Sequence, residues 1–368
     1  MILGDVQRIM ESWAPREIAW ERDTVGIQIG SKNQPVRKIL VSLDASEEVI
    51  QDAVRKKTDL LITHHPLFFH HLRRISPDDR IGRMVTSLVQ NRIGVYSAHT
   101  NLDFAAGGVS HALALQLKLT NITVLKKNLA VLKKIAVFVP LDYSEKVFTA
   151  MTEAGAGAIG KYEACSFETK GTGTFRARKG AKPFIGSVGS LERTPEVRIE
   201  VVAPSWLVTD VLRAMRSVHP YEEVAYDVYS LANTHEQFGA GAIGEYKRSV
   251  TTQNFLASVK RWLGAETVRF SRTQKKTIRR VAVCGGSGSD LLETAVDADA
   301  DVFVTADVGY HRFQEAENRI LLVDAGHYET ELPILHHIVQ RLSAECKRQN
   351  ERIEISVSSK TRNPVFSY

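Results

Sequence analysis

Three short stretches of this chain end an apolar run and then present histidine with a carboxylate. Leu60, Leu61 and Ile62 form such a run, and Thr63, His64, His65 and Pro66 follow at once. Proline bars regular continuation of a strand. Both imidazoles are therefore delivered to the end of a short buried strand, the place where α/β proteins hold their ligands. The second stretch, Val95 to Asp103, runs through a strand into His99 and Asp103. The third, Ile320 to Glu331, ends a strand, passes Gly326 and reaches His327 and Glu331. His327 and Glu331 are four residues apart, which on a helix puts them one turn apart on one face. Imidazole and carboxylate together suit a borderline cation such as Zn, Fe or Mn. The stretches together offer more nitrogen and oxygen ligands than one tetrahedral zinc accepts. They suit two ions sharing a bridging carboxylate. His64 and His65 are adjacent, so on an extended chain they point opposite ways. Either they address two ions, or the chain turns between them.

The elements that must position these residues read as follows. A helix begins the chain, with Val6, Ile9, Met10 and Trp13 on one face and Pro15 at its end. Residues 38–65 form a β-α-β unit, with Ser46, Glu47 and Glu48 as a helix start, which favours parallel strands. A helix from Arg80 to Asn91 feeds the strand before His99. Lysine-rich Lys126 to Lys134 marks a boundary. Beyond it, the order strand, helix, strands, helix, strand describes a small α+β module. From about 236 the alternation of strand and helix resumes, and Arg352 to Val357 reads as an edge strand. The expected organisation is thus a two-lobed α/β core at 1–130 and 236–368, interrupted by an α+β insert at 131–235. Gly155 to Tyr162 and Gly239 to Tyr246 are near-literal copies; their period is too long for a solenoid.

Composition narrows the class. The 368 residues are 43% hydrophobic and 24% charged, as in a globular protein of two or three domains. No apolar run reaches the ~20 residues of a membrane helix, and the N-terminus lacks the apolar core of a signal peptide. Three cysteines, Cys165, Cys284 and Cys346, are too far apart for a zinc ribbon and fit a reducing cytoplasm. The formal charge of +6 permits anionic substrates without demanding nucleic acid.

Thr63 to Phe69, Ser97 to Asp103 and Gly326 to Glu331, in this order and spacing, resemble the GTP cyclohydrolase I type 2 homologs, also called the NIF-three-like family. The resemblance runs along almost the whole chain. It implies a dinuclear metal site on His64, His65, Asp103, His327 and Glu331, with two divalent ions per chain (Zn, Fe or Mn) and His99 beside it. It also implies a toroidal homohexamer. The middle segment, with His219, Pro220, Tyr221, Glu222 and Glu223, resembles the ferredoxin-like, PII-like or CutA-like insert of longer bacterial members. The activity implied is metal-dependent hydrolysis of a nucleotide: GTP opened at C8 with release of formate, His99 moving protons. Gly285, Gly286 and Ser287 follow a strand and offer amides that could hold a phosphate; a tight turn explains them equally. Asp307 and His311 end another strand, where they could line the cavity. A different reading keeps the metal and drops the chemistry. It makes the chain a metal-binding scaffold or chaperone, or a regulator whose insert senses a small ligand or binds a partner.

Overall fold

The computed structural model of the chain describes residues 1–70, 72–127 and 131–366. Residues 128–130, inside the lysine-rich boundary, lie outside the described residues. The strands in chain order are β1 (Gly26–Ile29), β2 (Lys38–Ser42), β3 (Leu60–Thr63), β4 (Gly94–Ser97), β5 (Thr120–Lys127), β6 (Leu132–Pro140), β7 (Ser166–Arg176), β8 (Leu191–Pro204), β9 (Tyr226–Ser230), β10 (Gly239–Thr251), β11 (Arg269–Phe270), β12 (Thr277–Ser287), β13 (Val302–Ala306), β14 (Leu321–Asp324) and β15 (Glu354–Val357). They form three sheets. The residues up to Lys127 and from Gln237 make one compact unit, and the segment between them, to Glu236, makes a second.

The first unit holds two mixed sheets. One has the order β1-β4-β3-β2-β15, with β15, β2, β3 and β4 mutually parallel and β1 antiparallel. Leu40, Leu61 and Val95 pack there against Val49, Ile50 and Ala53 of the helix Glu47–Arg55 and against Met84, Val85 and Leu88 of the helix Arg80–Gln90. Ser46 caps the first helix through the amide of Val49, and Asp79 caps the second through that of Gly82. Each side chain satisfies an otherwise orphaned amide. The other sheet has the order β11-β14-β13-β12-β10-β5, parallel across β12, β13 and β14. Its parallel strands are buried on both faces, which explains their near-continuous apolar runs. Val281, Val302 and Leu321 face Phe255 and Val259 of the helix Thr252–Leu263, while Phe303 and Leu322 face Leu292, Ala295 and Ala316.

The second unit is one antiparallel sheet of order β7-β8-β6-β9 with the helices Ser144–Glu153 and Val208–Val218. Val147, Met151, Val211 and Met215 of those helices pack on Ile135, Val137, Ile199 and Val201. The β-α-β-β-α-β connectivity follows from alternating apolar positions in β6 and β8, which leave one face of the sheet for the helices.

Several elements went unread in the sequence. Lys126 and Lys127 belong to β5, which pairs with β10, and the helix Thr252–Leu263 carries no strong start signal beyond Thr251. No helix among the described residues is long and apolar enough to cross a membrane.

The turn after His99 depends on Gly108. A Cβ there would lie 1.9 Å from the carbonyl oxygen of Leu102, in the short helix Thr100–Phe104 that carries Asp103. Gly108→Ala is expected to cost about 1–3 kcal/mol, the usual penalty of forced overpacking, and to be read as a lower midpoint in thermal denaturation. An unchanged midpoint would show that the turn yields freely.

Candidate metal centre

The strand ends of both sheets in the first unit meet at one point. His64 and His65 follow β3, His99 follows β4, and His327 opens the short helix His327–Glu331 just after β14. The His64 amide donates to the Ser42 carbonyl and that of His65 to Leu43, so the chain stays beside β2 while the side chains diverge. The two rings nevertheless serve one cluster, with centroids 5.0 Å apart. His64 Nε2 lies 3.6 Å from both Asp103 Oδ1 and Glu331 Oε1. His327 Nε2 is 3.1 Å from the same Glu331 oxygen, and His65 Nε2 is 3.0 Å from its other oxygen. His65 and His327 bring their Nε2 atoms to 3.3 Å. Glu331 thus stands between three imidazoles and spends one oxygen on two of them.

Each imidazole is fixed by its other nitrogen. His64 Nδ1 bonds the Ala98 carbonyl at 2.8 Å, His65 Nδ1 bonds Asp44 at 2.9 Å, His99 Nδ1 bonds Asp23 at 2.9 Å and His327 Nδ1 bonds Asp307 at 2.6 Å. An acceptor at Nδ1 sets the tautomer that presents a bare Nε2, the arrangement found behind metal-ligating histidines. Three atoms at the meeting point are buried with no hydrogen-bond partner: His64 Nε2, Asp103 Oδ1 and Glu331 Oε2. The close approach of His65 Nε2 to Glu331 Oε2 lacks the alignment of a hydrogen bond, so the two atoms face a common point rather than each other. Buried polar atoms without partners are costly. Their convergence, with donor atoms of the types that divalent metals accept, fits the group the sequence implies. His64, His65 and His99, and His65, His327 and Glu331, each gather their ligand atoms within 4.8 Å of one another and could hold a metal ion.

The electrostatics follow from this packing. Burial opposes ionisation of Glu331, but His64, His327 and His65 hold it well below the usual carboxylate range. Burial pushes Asp103 up to about 6, against the pull of His64. Burial also works against charge on His65, yet the hydrogen bond to Asp44 and the nearby Glu331 carboxylate raise it to about 10. The hydrogen bond to Glu331 raises His327 to about 9.

The six residues expected at the centre, His64, His65, His99, Asp103, His327 and Glu331, are all brought together. The glycine loop has another part to play. The amides of Gly285, Gly286 and Gly288 already donate to the hydroxyls of Ser110, Thr330 and Thr305, so Gly285 and Gly286 have no amide left for a phosphate. Ser287 is paired with Ala306 in the sheet. Gly286, at φ +63°, would place a Cβ 2.2 Å from Glu331 Oε1; its bare backbone makes room for the carboxylate. His311 is exposed and packs edge-on against Tyr310, away from the cluster. Cys284 is half-buried, and desolvation pushes its thiol up to about 12, which leaves it unreactive. Of the anchors, Asp307 was expected to line the cavity, and it does so while holding His327. Asp23 and Asp44 were not assigned from the sequence; Asp44 ended a predicted strand, a signal that was available, while Asp23 lay in a loop with none.

The model of the Duf34/NIF3 (NGG1p interacting factor 3) family matches residues 1–364. The chain belongs to this family. It is 40% identical over 359 residues to the GTP cyclohydrolase 1 type 2 homolog of Bacillus subtilis, covering 97% of this chain and 96% of that one. The protein of the same name from Mycobacterium tuberculosis is 38% identical over 337 residues, 90% and 88% of the two chains. A solved Bacillus cereus protein related to NIF3 superposes with a TM-score of 0.87 at 37% identity, covering 100% of this chain and 99% of that one. The mixed α/β fold with several mixed sheets is therefore that of solved family members.

The anchor of His99 is open to direct test. Asp23 accepts from His99 and from the Thr100 amide, at 3.0 Å for the latter. Burial opposes its charge, but these partners lower its pKa from 3.8 to about 2. A depressed carboxylate stabilises the fold above its unfolded pKa and loses that contribution as pH falls through the folded value. Asp23→Asn should cost about 1–2 kcal/mol at neutral pH. It should also flatten the acid limb of the stability curve between pH about 4 and about 2. A mutant acid limb that overlays the wild type would refute the anchor.

Proposed function

We propose that this family member is a dinuclear-metal hydrolase in which His64, His65, Asp103, His327 and Glu331 hold two divalent ions, Zn, Fe or Mn. The observation that carries the reading is the convergence of three partnerless buried ligand atoms, with every imidazole Nδ1 already engaged. Ions held there would supply the Lewis acidity that makes a nucleophile of water near neutral pH. The chain's own residues supply the rest. Asp44 and Asp307 orient His65 and His327, Glu331 presents one oxygen beside His64 and His327 and the other beside His65, and Gly286 leaves room for that carboxylate. His99, held by Asp23, carries a proton between water and the leaving nitrogen. The name shared by the relatives supports a purine nucleotide, GTP, as substrate. Addition of one water breaks C8–N9 and leaves a formamide; a second breaks the remaining C8–N7 bond and releases formate. A toroidal homohexamer is part of this reading and is checked by the mass of the particle in solution.

A second reading rests on the middle unit. Its β-α-β-β-α-β order supports a PII-like or CutA-like sensor. A cavity of about 690 Å³ there has Glu196 on its wall, held by the Tyr221 hydroxyl at 2.9 Å. In this reading the cavity takes a small ligand and the metal centre serves as a scaffold. Turnover that disappears with the metal ligands favours the enzyme. A ligand that binds the full chain, is lost in Glu196→Gln and leaves turnover untouched favours the sensor.

Metal analysis of purified protein should find about two ions per chain. Glu331→Ala should lose most of them together with formate release from GTP. A metal-replete protein with no bound ion would end the proposal. The protons on His65 and His327 compete with metal below pH values of about 10 and about 9. Metal affinity should therefore rise with pH from 6 to 9, by about tenfold per unit for each proton displaced, and loading should acidify a weakly buffered solution. Affinity independent of pH would show that neither imidazolium is displaced.

A further inference from the structure

The cavity of about 690 Å³ in the middle unit lies on the sheet face that the two helices leave open. Val197, Ile199 and Val201 of β8 turn to the helices, so Glu196, Arg198 and Glu200 turn to the other side. Glu196 is only 8% exposed. Its Oε1 accepts from the neutral Tyr221 hydroxyl, and no cation among the described residues pairs with it. The backbone beneath it is bare: a Cβ on Gly173 would fall 2.1 Å from Glu196 Oε2. Arg198 has the opposite deficit. Its Nη2 holds Glu200 at 2.7 Å, but Lys134 shares that carboxylate at 3.8 Å. Arg198 Nε is buried with no hydrogen-bond partner. A carboxylate without a cation thus stands beside a guanidinium with a donor to spare. We propose that this cavity binds a free α-amino acid with a large apolar or aromatic side chain, its ammonium on Glu196 and its carboxylate on Arg198. The inference rests on the sensor reading of the middle unit and names the ligand of that same cavity.

A buried charge without a counter-charge and a buried donor without an acceptor both cost stability. A ligand that carries both signs relieves both at once. A simple cation would satisfy Glu196 and leave Arg198 Nε orphaned; a simple anion would do the reverse. The spacing suits a zwitterion whose two charged groups share one carbon. Residues 196 and 198 leave the strand about 6–7 Å apart on one face, and charge-assisted hydrogen bonds of about 2.8 Å at each end bridge that gap. Aromatic rings surround the space left for a side chain. Phe175 and Phe184 stand with ring centroids 6.0 and 6.3 Å from that of Tyr221. Phe138 lies under Arg198, whose guanidinium carbon is 6.0 Å from the ring centroid. Such rings pack on apolar and aromatic groups through faces and edges. Gly171 leaves that space clear, since a Cβ there would meet nothing within 4 Å. The other charged groups on the wall, Lys170, Arg176, Arg178, Glu222 and Glu223, are all exposed. They are three cations against two acids, screened by water, and Glu222 already accepts from the Lys182 amide at 2.9 Å. The buried pair therefore sets the ligand class.

The test is calorimetry on the full-length protein. The probes are L-phenylalanine, L-leucine and L-tryptophan, with 2-phenylethylamine (no carboxylate), 3-phenylpropanoate (no ammonium) and glycine (no side chain) as controls. At least one of the three amino acids should bind. For L-phenylalanine, each control should bind at least about tenfold more weakly, because each leaves a buried partner unmet. Glu196→Gln and Arg198→Lys should each weaken L-phenylalanine by about tenfold or more. Arg198→Lys should leave the weak binding of 2-phenylethylamine unchanged, which a merely misfolded unit would not do. L-Phenylalanine that binds no more tightly than 2-phenylethylamine and 3-phenylpropanoate would overturn the proposal. GMP serves as a ligand of another class. If no amino acid binds but GMP does, and Glu196→Gln abolishes it, the amino-acid proposal falls and the sensor reading stands. If neither class binds, both fall.

Discussion

A carboxylate buried among imidazoles is the constraint on which the first unit depends. Glu331 is nearly inaccessible, and its two oxygens are shared by histidines from two separate strand ends. A buried carboxylate must be balanced by positive charge or it becomes a liability of several kcal/mol. The imidazoles can supply that charge as imidazolium, or they can offer lone pairs to a cation that supplies it instead. Either way their orientation must be settled in advance, and it is settled at the far nitrogen of each ring. Asp44, Asp23, Asp307 and the Ala98 carbonyl thus govern the centre without entering it.

The scaffold makes this possible by bringing two sheets to the same place through their strand ends. β3 and β4 contribute from one sheet; β12, β13 and β14 contribute from the other. Parallel strands carry regular backbone hydrogen bonds up to their last residue and then stop, so the loops that follow start from rigid points. Close approach at the centre needs bare backbone. Gly286 gives way to the Glu331 carboxylate, and Gly108 lets the turn beyond Asp103 fold back on the carbonyl of Leu102.

Net charge says little about local charge here. The chain is formally positive by six, which in the sequence alone left room for an anionic substrate. The basic run near β12 is largely met by carboxylates: Lys275 pairs with Asp301, Arg279 with Glu245 and Arg272 with Glu317. The cavity beside the candidate centre gathers five carboxylates, of which Asp324 is paired with Arg269. Surface lysines and arginines scattered along the chain do not set the charge there, because screening confines each charge to its neighbourhood.

The sequence by itself determined the candidate ligands and most of the elements that carry them. His64, His65, His99, Asp103, His327 and Glu331 were legible because each follows an apolar run, and periodicity is a local signal; the choice of five of them as ligands came from the family resemblance. What local signals could not reach was decided by tertiary structure. Asp23 meets His99 across 76 residues of chain, and no pattern near Asp23 announces it. The lysines before β6 read as a boundary, yet Lys126 and Lys127 complete β5 because β10 offers them a ladder. The two glycine-rich copies show the division most directly. Gly239 to Gly244 lies in β10, with Ala242 and Ile243 buried against the first unit's core. Gly155 to Gly160 is a turn with Gly155, Gly157 and Gly160 at positive φ. Identical residues took different structures because small, glycine-rich segments have little preference of their own, and the partners available on each side chose for them.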